Sequence, residues 1–411
     1  MTDPPACRLA VVASHPIQYF TPLYRRLATF RGLDVDVLFC RDFGVRPRFD
    51  RQFAQVIAWD TDQLSGYNHR FLKNISPVHD TFNPLHAINP GAFLRLLSGY
   101  DALWVNGYLY PSNWLAVFAA RLRGTRILLR SELQFGSSAD EPSARPLRDA
   151  VLRQWIQRSD ALLYIGKANR QAYLHYGARE EQLFFAPYSV DVDRIAALAP
   201  EDGSARAAAR NRWNVPTDRP VALFVGKLTR NKHPEALLQL ARLAAARPVD
   251  VHLVFVGSGE MQEELEEAVK RDGLSNVSML GFVNQSELPR VYAMADLFIL
   301  PSDSEPWGLV VNEAMAAGVP VVVSDSVGCA PDLIQSAVTG YTFPRGDWNA
   351  MAHRALTILE DPMSGRRMGR AARELASRYS YDATVDGILA ALSALGLFTA
   401  GEQVERQHVE A

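Results

Sequence analysis

Two glutamates, Glu305 and Glu313, stand eight positions apart in a segment that predicts a strand, a loop and a helix in succession. The apolar run 297–300 is typical of a buried parallel strand, Pro301 breaks the regular structure after it, and a helical pattern begins at Leu309. Such a loop lies at the carboxyl ends of parallel strands, where open α/β folds bind ligands. A carboxylate accepts two hydrogen bonds from a vicinal diol, so both glutamates could face a ligand rich in hydroxyl groups. The alternative is a solvated helix glutamate beside an ordinary loop charge.

Two glycine-containing turns also follow predicted strands. Gly226 and Lys227 begin the first turn, and Lys232 precedes a predicted helix at 235–246. Positive charge and backbone N–H groups beside a helix start can hold a pyrophosphate, although lysines in surface loops are more often simply solvated. The second turn carries Gly257 and Gly259, which would let the backbone approach a ligand closely or would only connect a strand to a helix.

The elements that position these residues alternate between strands and helices, which predicts an α/β fold with parallel sheets covered on both faces. The first half has predicted strands at 8–13, 34–40, 102–105, 126–130 and 161–165, with helices at 22–29, 90–98, 113–121 and 168–176. The second half has predicted strands at 221–225, 251–256, 277–280, 297–300 and 319–323, and a last helix at 382–395. This rhythm breaks near 187–191, and 196–220 reads as a linker with a short helix.

Composition indicates an ordinary globular protein. A chain of 411 residues is expected to form about two domains, and a net charge of −2 gives no reason to expect nucleic-acid binding. The three cysteines, Cys7, Cys40 and Cys329, match no disulfide framework, which fits a reducing cytoplasmic compartment. The chain has no signal-peptide pattern and no apolar run near the ~20 residues that span a bilayer, so we expect a soluble or peripheral protein.

The segment 302–333 closely resembles the Glu-x7-Glu signature of glycosyltransferase family 4. The similarity includes Gly308-Leu309, the run 312–316 and the run 318–322. The family contains retaining nucleotide-sugar enzymes with the GT-B fold, in which two Rossmann-like domains with parallel sheets face each other across a cleft. The resemblance implies an acceptor-binding domain at 1–190, a donor-binding domain at 191–378, a helix at 379–400 that crosses back to the first domain, and a flexible tail at 401–411.

On the donor side, the resemblance assigns roles to individual residues. Glu313 would bind the ribose hydroxyls, and Glu305 would lie near the sugar or its leaving phosphate. Lys227 and Lys232 would hold the donor phosphates, so that Glu305 and both lysines would be catalytic; Lys227 stands where arginine is more frequent and lacks its bidentate fork. The segment containing Phe282 resembles the one whose backbone reads the nucleobase. The implied donor-binding set is Gly226, Lys227, Lys232, Gly257, Gly259, Phe282, Val283, Gly308, Leu309, Val310 and Glu313.

The resemblance implies neither a metal nor a cofactor, since the nucleotide sugar is a co-substrate. Asp191 and Asp193 have the spacing of a metal-binding Asp-x-Asp motif. They fall in the hinge, however, where the family commonly has a structural Val-Asp stretch. We therefore expect no metal there.

The acceptor side is expected to lie at the strand ends of the first domain. The sequence Ser-His-Pro-Ile-Gln-Tyr at 14–19 resembles a bacterial branch of the family, so His15 and Gln18 would face the cleft unless His15 is only structural. Asn106 occupies the place where many members have a histidine under the donor sugar, and an amide cannot act as a base. Arg130 and Glu132 are expected to line the same cleft, where Glu132 either binds the acceptor or pairs with Arg130.

The resulting hypothesis is a retaining glycosyltransferase that moves a sugar from a nucleotide sugar to an acceptor hydroxyl in bacterial polysaccharide or glycoconjugate biosynthesis. The acceptor would be a carbohydrate, a lipid-linked sugar or a small molecule. The predicted helix at 145–158 would rest on an anionic membrane or pack its apolar stripe into the core. The alternatives are an epimerase or phosphorylase using the same donor site, or a catalytically silent sugar-nucleotide-binding or scaffold protein.

Overall fold

The computed structural model describes residues 7–78, 83–134, 146–200 and 203–399. Two parallel sheets, one in each half of the chain, carry helices on both faces. The expected tail at 401–411 and parts of the loops at 79–82 and 135–145 lie outside the described residues. The α/β fold with two Rossmann-like sheets is confirmed.

Nine strands are described in the first half, and seven of them form one parallel sheet in the order β5-β2-β1-β6-β7-β8-β9. The strands are β1 (Cys7–Ala13), β2 (Leu33–Phe39), β3 (Arg48–Asp50), β4 (Gln55–Ile57), β5 (Asn68–Phe71), β6 (Ala102–Asn106), β7 (Arg126–Arg130), β8 (Ala161–Tyr164) and β9 (Leu183–Phe185). In the centre of the sheet Leu9 pairs with Ala102 of β6 and with Val35 of β2. The remaining strands, β3 and β4, form a separate antiparallel hairpin.

Helices cover both faces of this sheet because its strands direct apolar side chains to both faces. They are α1 (Thr21–Ala28), α2 (Pro90–Leu97), α3 (Pro111–Arg123), α4 (Pro146–Gln157) and α5 (Lys167–His175). One core contains Leu9 and Val11, and the other contains Ala10 and Val12, as strand alternation requires. Within the described part of the chain, no helix is long and apolar enough to cross a membrane.

The second sheet has six parallel strands in the order β12-β11-β10-β13-β14-β15, the doubly wound order of a Rossmann fold. The strands are β10 (Val221–Val225), β11 (His252–Val256), β12 (Val277–Met279), β13 (Leu297–Leu300), β14 (Val321–Ser324) and β15 (Gly340–Phe343). The central strands β10 and β13 are buried throughout. Their order brings the loops after β10 and β13 side by side.

The helices of the second half complete the doubly wound arrangement. They are α6 (Val192–Leu198), α7 (Ser204–Arg212), α8 (Leu237–Ala244), α9 (Gln262–Arg271), α10 (Leu288–Ala293), α11 (Leu309–Ala316), α12 (Ala330–Leu333), α13 (Trp348–Leu359), α14 (Pro362–Ala376) and α15 (Tyr381–Ala394). The last helix belongs to the core of the first sheet, where Val385, Ile388 and Leu392 pack. The first and the last of the described elements, β1 and α15, therefore share one core.

The predicted helix at 235–246 begins later than expected. His233 adopts a left-handed conformation with φ 48°, and Pro234–Ala236 forms a 3-10 turn before α8 begins at Leu237. In α4, which was predicted at 145–158, Trp155 is 7% exposed and packs into the core, as one of the two alternatives required, whereas Leu147 at the start of the helix is 79% exposed.

Candidate functional site

The loops after β10, β11 and β12 are tied together by backbone hydrogen bonds at the carboxyl edge of the second sheet. The N–H of Gly226 donates to the carbonyl of Val256 at 2.9 Å, and Leu228 donates to Ser258 at the same distance. The N–H of Gly257 donates onward to the carbonyl of the next loop at 2.8 Å. The three loops therefore form one surface.

Glycines at 257 and 259 are required by this packing of loop against loop. A Cβ at Gly257 would lie 1.8 Å from the carbonyl oxygen of Gly226, and one at Gly259 would lie 2.4 Å from that of Leu228. A Cβ at Gly226 would make only an ordinary contact, 3.5 Å from the ring of Phe224. Of the three glycines in these two turns, Gly226 is thus the one where a Cβ could be added without a close contact.

Lys232 and Glu305 form an ion pair between the loops that follow β10 and β13. Their side chains are 17% and 18% exposed, so most of the pair is shielded from solvent. The backbone of Glu305 is held by an isolated parallel bridge to Val327 and by the N–H of Gly328, which donates to its carbonyl at 2.9 Å. The backbone of Glu305 is therefore fixed, and its carboxylate is held by Lys232.

The histidine beside Lys232 fastens the same loop. His233 Nδ1 lies 2.9 Å from Glu235 Oε1, and Nε2 lies 2.8 Å from Asp303 Oδ2. Burial lowers the pKa of His233, but the two carboxylates outweigh it and raise the pKa above its usual value. This contact joins the turn after β10 to the loop after β13.

Lys227 lies at the same edge, and its ammonium group contacts the first half of the chain. It donates a hydrogen bond to Gln52 Oε1 and lies 4.9 Å from the centre of the Phe53 ring. Burial lowers the pKa of Lys227, while the carboxylate of Asp50 opposes this shift. No pattern in the sequence predicted these partners, which lie about 175 residues away along the chain.

Glu313 is buried, with 3% of its surface exposed, so the alternative of a solvated helix glutamate is wrong. The Tyr292 hydroxyl donates to Glu313 Oε2 at 2.6 Å, and the Tyr19 hydroxyl is a second hydrogen-bond partner. Burial raises the pKa of Glu313 to about 7, because removing water penalises the charged carboxylate, while the two tyrosines oppose the rise.

The remaining predicted donor residues surround these side chains. Gly308 has φ 93° and precedes α11, whose first turn has no side-chain cap. Leu309 and Val310 follow and are half-buried. Phe282 packs its ring against Phe53 and Trp59, and Val283 beside it is half-buried.

On the first sheet, His15 follows β1, and Asn106 is the last residue of the neighbouring strand β6. His15 Nδ1 lies 3.0 Å from Ser14 Oγ, and its ring packs edge-on against Phe43. Burial and the positive charge of Arg41 lower the pKa of His15 to about 4, so the imidazole is neutral at neutral pH. The Asn106 amide nitrogen donates to the carbonyl of Val12 at 3.4 Å, and Gln18 is half-buried nearby in sequence.

Arg130 differs from the expectation that it lines the cleft. It is 3% exposed, and its guanidinium lies over the rings of Phe20, Trp104 and Tyr188 at 5.2, 5.9 and 4.8 Å. It donates to the carbonyl of Pro187 at 3.0 Å. As the last residue of β7 its side chain points into the sheet's apolar cover, so it is enclosed and not open to an acceptor.

Glu132, two residues later, is exposed and accepts a hydrogen bond from the Tyr188 hydroxyl. Desolvation of the carboxylate raises the pKa of Glu132. The hydrogen bond from Tyr188 opposes this rise, and the negative charge of Glu305 adds to it. The carboxylates of the two halves therefore influence each other across the molecule.

The Asp-x-Asp spacing at the hinge has a structural explanation. Asp191 caps α6 by accepting from the N–H of Arg194 at 3.2 Å. Among the described residues, no three His, Cys, Asp or Glu side chains are grouped as a metal site.

Two family models match the chain. Residues 16–189 match the model described as "Glycosyl transferase 4-like domain", and residues 205–375 match "Glycosyl transferases group 1". A D-inositol 3-phosphate glycosyltransferase of Streptomyces avermitilis is 30% identical over 341 residues, which are 78% of this chain and 68% of that protein. The corresponding protein of Xylanimonas cellulosilytica is 29% identical over 70% of this chain and 69% of its own length. In two further relatives of the same name the match covers 49% and 56% of the relative.

Solved structures share the fold. Sucrose-phosphate synthase from Thermosynechococcus elongatus superposes with a TM-score of 0.71 at 22% identity, covering 95% of this chain and 99% of that one. Anabaena HepE, solved in complex with UDP, gives a TM-score of 0.73 at 19% identity, covering 94% and 100%. With the matched models and the relative from Streptomyces, these similarities show that the chain belongs to glycosyltransferase family 4 and has the GT-B fold.

Proposed function

We propose that this protein is a retaining glycosyltransferase that moves a sugar from a nucleoside-diphosphate sugar to an acceptor hydroxyl. The observation that carries the proposal is the shielded pair of Lys232 and Glu305, with Lys227 at the same edge of the second sheet. Glu132 and His15 belong to the strand ends of the first sheet, on the acceptor side. The donor would lie between the two sets.

The two lysines would act on the leaving group. As the bond between the anomeric carbon and the diphosphate oxygen breaks, negative charge develops on the diphosphate, and Lys227 and Lys232 would stabilise it. Glu305 would hold Lys232 in place, since an ammonium group has three N–H donors and the pair uses one of them. Removing either lysine should therefore destabilise the transition state more than the ground state.

Retention would follow from attack on the same face from which the diphosphate departs. The acceptor oxygen forms the new bond to the anomeric carbon, and its proton passes to an oxygen of the leaving diphosphate. This route needs no protein base at Asn106, whose amide cannot accept a proton. The neutral His15 would serve as a hydrogen-bonding group for the acceptor.

The relatives support a nucleotide-sugar donor and a carbohydrate acceptor. One curated relative is named a GDP-mannose-dependent mannosyltransferase acting on a phosphatidylinositol monomannoside, and Anabaena HepE was solved with UDP-glucose. We propose a role in bacterial polysaccharide or glycoconjugate synthesis, with a saccharide, lipid-linked or small-molecule acceptor. A lipid-linked acceptor would bring the protein to the inner face of a membrane, and co-sedimentation with anionic vesicles tests that contact.

The test is calorimetric titration with UDP-, GDP- and ADP-sugars, followed by product analysis. We expect the protein to bind one donor and to release a nucleoside diphosphate from it slowly. The Lys232→Met variant should lose both the binding and the release. The exposed Lys73→Met variant, which removes the same charge from the other half, should behave like the wild type. The absence of binding by every donor would contradict the proposal and favour a scaffold protein.

The product distinguishes transfer from the other reactions at the same site. A transferase yields a nucleoside diphosphate and a glycoside with the donor's anomeric configuration, which NMR coupling constants identify. An epimerase changes the sugar without an acceptor, and a phosphorylase needs inorganic phosphate.

A further inference from the structure

The hairpin of β3 and β4 has a tip of fixed shape. Its strands pair Arg48 with Ile57 and Asp50 with Gln55, which leaves a four-residue turn at 51–54. Asp50 Oδ1 accepts from the N–H of Gln52 at 2.8 Å and from that of Phe53 at 3.2 Å. An aspartate that holds two successive N–H groups fixes such a turn, so the side chains of Gln52 and Phe53 project from a defined backbone.

This tip packs against the donor-side loops of the other domain. Ser258 Oγ donates to the carbonyl of Phe53 at 2.8 Å and accepts from Gln55 Nε2 at 2.8 Å. The ring of Phe282 lies 5.3 Å from that of Phe53 and 5.9 Å from that of Trp59. The hairpin therefore contacts the loops after both β11 and β12.

The segment that follows the hairpin continues the contact. Asn284 Nδ2 donates to the carbonyl of Ala58 at 2.6 Å, and its Oδ1 accepts from the N–H of Asp60 at 3.3 Å. The Asp60 carboxylate in turn accepts from the N–H and hydroxyl of Ser286. Polar side chains on both partners are thus satisfied across the boundary between the two sheets.

The third contact, to the loop after β10, is with Lys227. Its ammonium donates one hydrogen bond to Gln52 and lies over the face of Phe53, an arrangement that attracts a cation. Two of its three N–H donors are not used by Gln52. The carboxylate of Asp50 also acts on Lys227, and Lys232 and Glu305 lie close enough to influence its charge. The hairpin tip therefore stands beside the proposed diphosphate site.

We infer that the hairpin is a first-domain wall of the donor site, in which Gln52 and Phe53 are positioning residues for Lys227. Gln52 fixes one N–H of the ammonium, Phe53 supports its face, and the remaining donors are directed to the diphosphate. This arrangement also explains how a lysine serves at a place where the family more often has an arginine: the second domain's cation is oriented by the first domain. The inference rests on the proposed function.

The experiment measures nucleoside diphosphate affinity by calorimetry, using whichever of UDP, GDP and ADP the full-length wild type binds most tightly. We expect Gln52→Met, which keeps the side chain's size and removes its acceptor, to weaken binding about five- to tenfold. Phe53→Leu should weaken it about two- to threefold. In the Lys227→Met background, Gln52→Met should produce no further loss, because its effect passes through that lysine.

Val56→Ala is the matched control, since Val56 lies on the same hairpin and is 62% exposed. It should bind the diphosphate as the wild type does. Wild-type affinity in Gln52→Met, or an equal loss with and without Lys227, would overturn the inference while leaving the proposed function intact. If the wild type binds none of the three diphosphates, the proposed function fails and the inference fails with it.

Discussion

Glu313 is an acid whose ionisation the folded protein opposes. Its pKa rises from 4.5 to about 7 on burial, although Tyr292 and Tyr19 donate hydrogen bonds to it. Between these pH values the folded state holds a proton that the unfolded chain releases, so the free energy of unfolding decreases as the pH rises. The shift corresponds to about 3 kcal/mol. Above pH 7 the free energy of unfolding is therefore lower by this amount than it is below pH 4.5.

Glu313→Gln should remove that pH dependence, because an amide cannot ionise. Urea unfolding at pH 5 and pH 7.5 is expected to show that the wild type loses about 2 kcal/mol more than the variant between the two pH values, since part of the effect is already present at pH 5. Glu267→Gln, at an exposed position of α9, should retain the wild-type difference. Equal pH slopes for the wild type and Glu313→Gln would contradict the assignment.

Variants of the ion pair of Lys232 and Glu305 can distinguish an effect on stability from an effect on activity. Lys232→Met leaves a largely shielded carboxylate without its partner and should lower the free energy of unfolding by about 1–3 kcal/mol. Adding Glu305→Gln should recover most of that stability but none of the donor turnover. Chemical denaturation and nucleoside diphosphate release check the two parts, and recovery of turnover in the double variant would refute a role in holding the donor.

At the scale of elements, the loops of the second sheet are shaped by their contacts with one another. The turn with Gly257 and Gly259 touches the backbone of the turn before it, closely enough to exclude a Cβ. Its glycines are a packing requirement, which explains why a glycine-rich turn by itself says little about phosphate binding. Residues brought together by this packing still form the edge where Lys232 meets Glu305.

Gly257→Ala should be strongly destabilising, because its Cβ would overlap the Gly226 carbonyl at 1.8 Å and its φ is 134°. We expect a loss of about 3 kcal/mol or more, seen as a lowered midpoint in urea. Gly346→Ala, at φ 79° with no atom near the new Cβ, measures backbone strain alone and should lose about 1 kcal/mol. A similar loss at both positions would show that the two turns can separate.

The sequence predicted the long elements and the neighbourhood of Lys232 and Glu305 because both depend on local pattern. Buried strands such as β10 and β13 read as apolar runs, and the rule that ligands bind at strand ends brings Lys232 and Glu305 together. The hairpin was not predicted: β3 and β4 have three residues each and are largely exposed. Short strands of this kind are stabilised by distant contacts, here with Ser258 and Phe282, that no local pattern contains.

The same limit applies to Arg130 and Gln52. Arg130 ends a strand, as cleft residues do, yet aromatic side chains from three other segments enclose it. Gln52 has no sequence signal, because its partner is 175 residues away. Position along a strand was predictable, but the neighbours that decide exposure were not.

At the scale of the whole molecule, α5 of the first half is capped by a residue of the second. Asp332 accepts from the N–H of Lys167 with both oxygens, at 3.1 and 3.0 Å, and the Tyr379 hydroxyl also contacts it. Gly166 permits this approach, since a Cβ there would lie 2.4 Å from the Trp307 ring. This contact restrains the relative orientation of the two halves.

Asp332→Ala should loosen that restraint. We expect a stability loss of about 1 kcal/mol, typical of a lost helix cap, together with a larger radius of gyration in small-angle scattering. Asp347→Ala removes a cap within one half, where Asp347 accepts from Ala350 at 2.9 Å, and should lose similar stability without a change in size. An unchanged radius of gyration in Asp332→Ala would show that other contacts fix the orientation.

The position of α15 also determines the order in which the protein can be completed during synthesis. The first sheet has all its strands once Phe185 is made, but Val385, Ile388 and Leu392 of its apolar cover come about 200 residues later. At ~5–20 residues per second, a ribosome needs roughly 10–40 s to make that stretch. During this interval the nascent first domain exposes an apolar face, so a circular permutant that is translated with α15 first should aggregate less during cell-free synthesis.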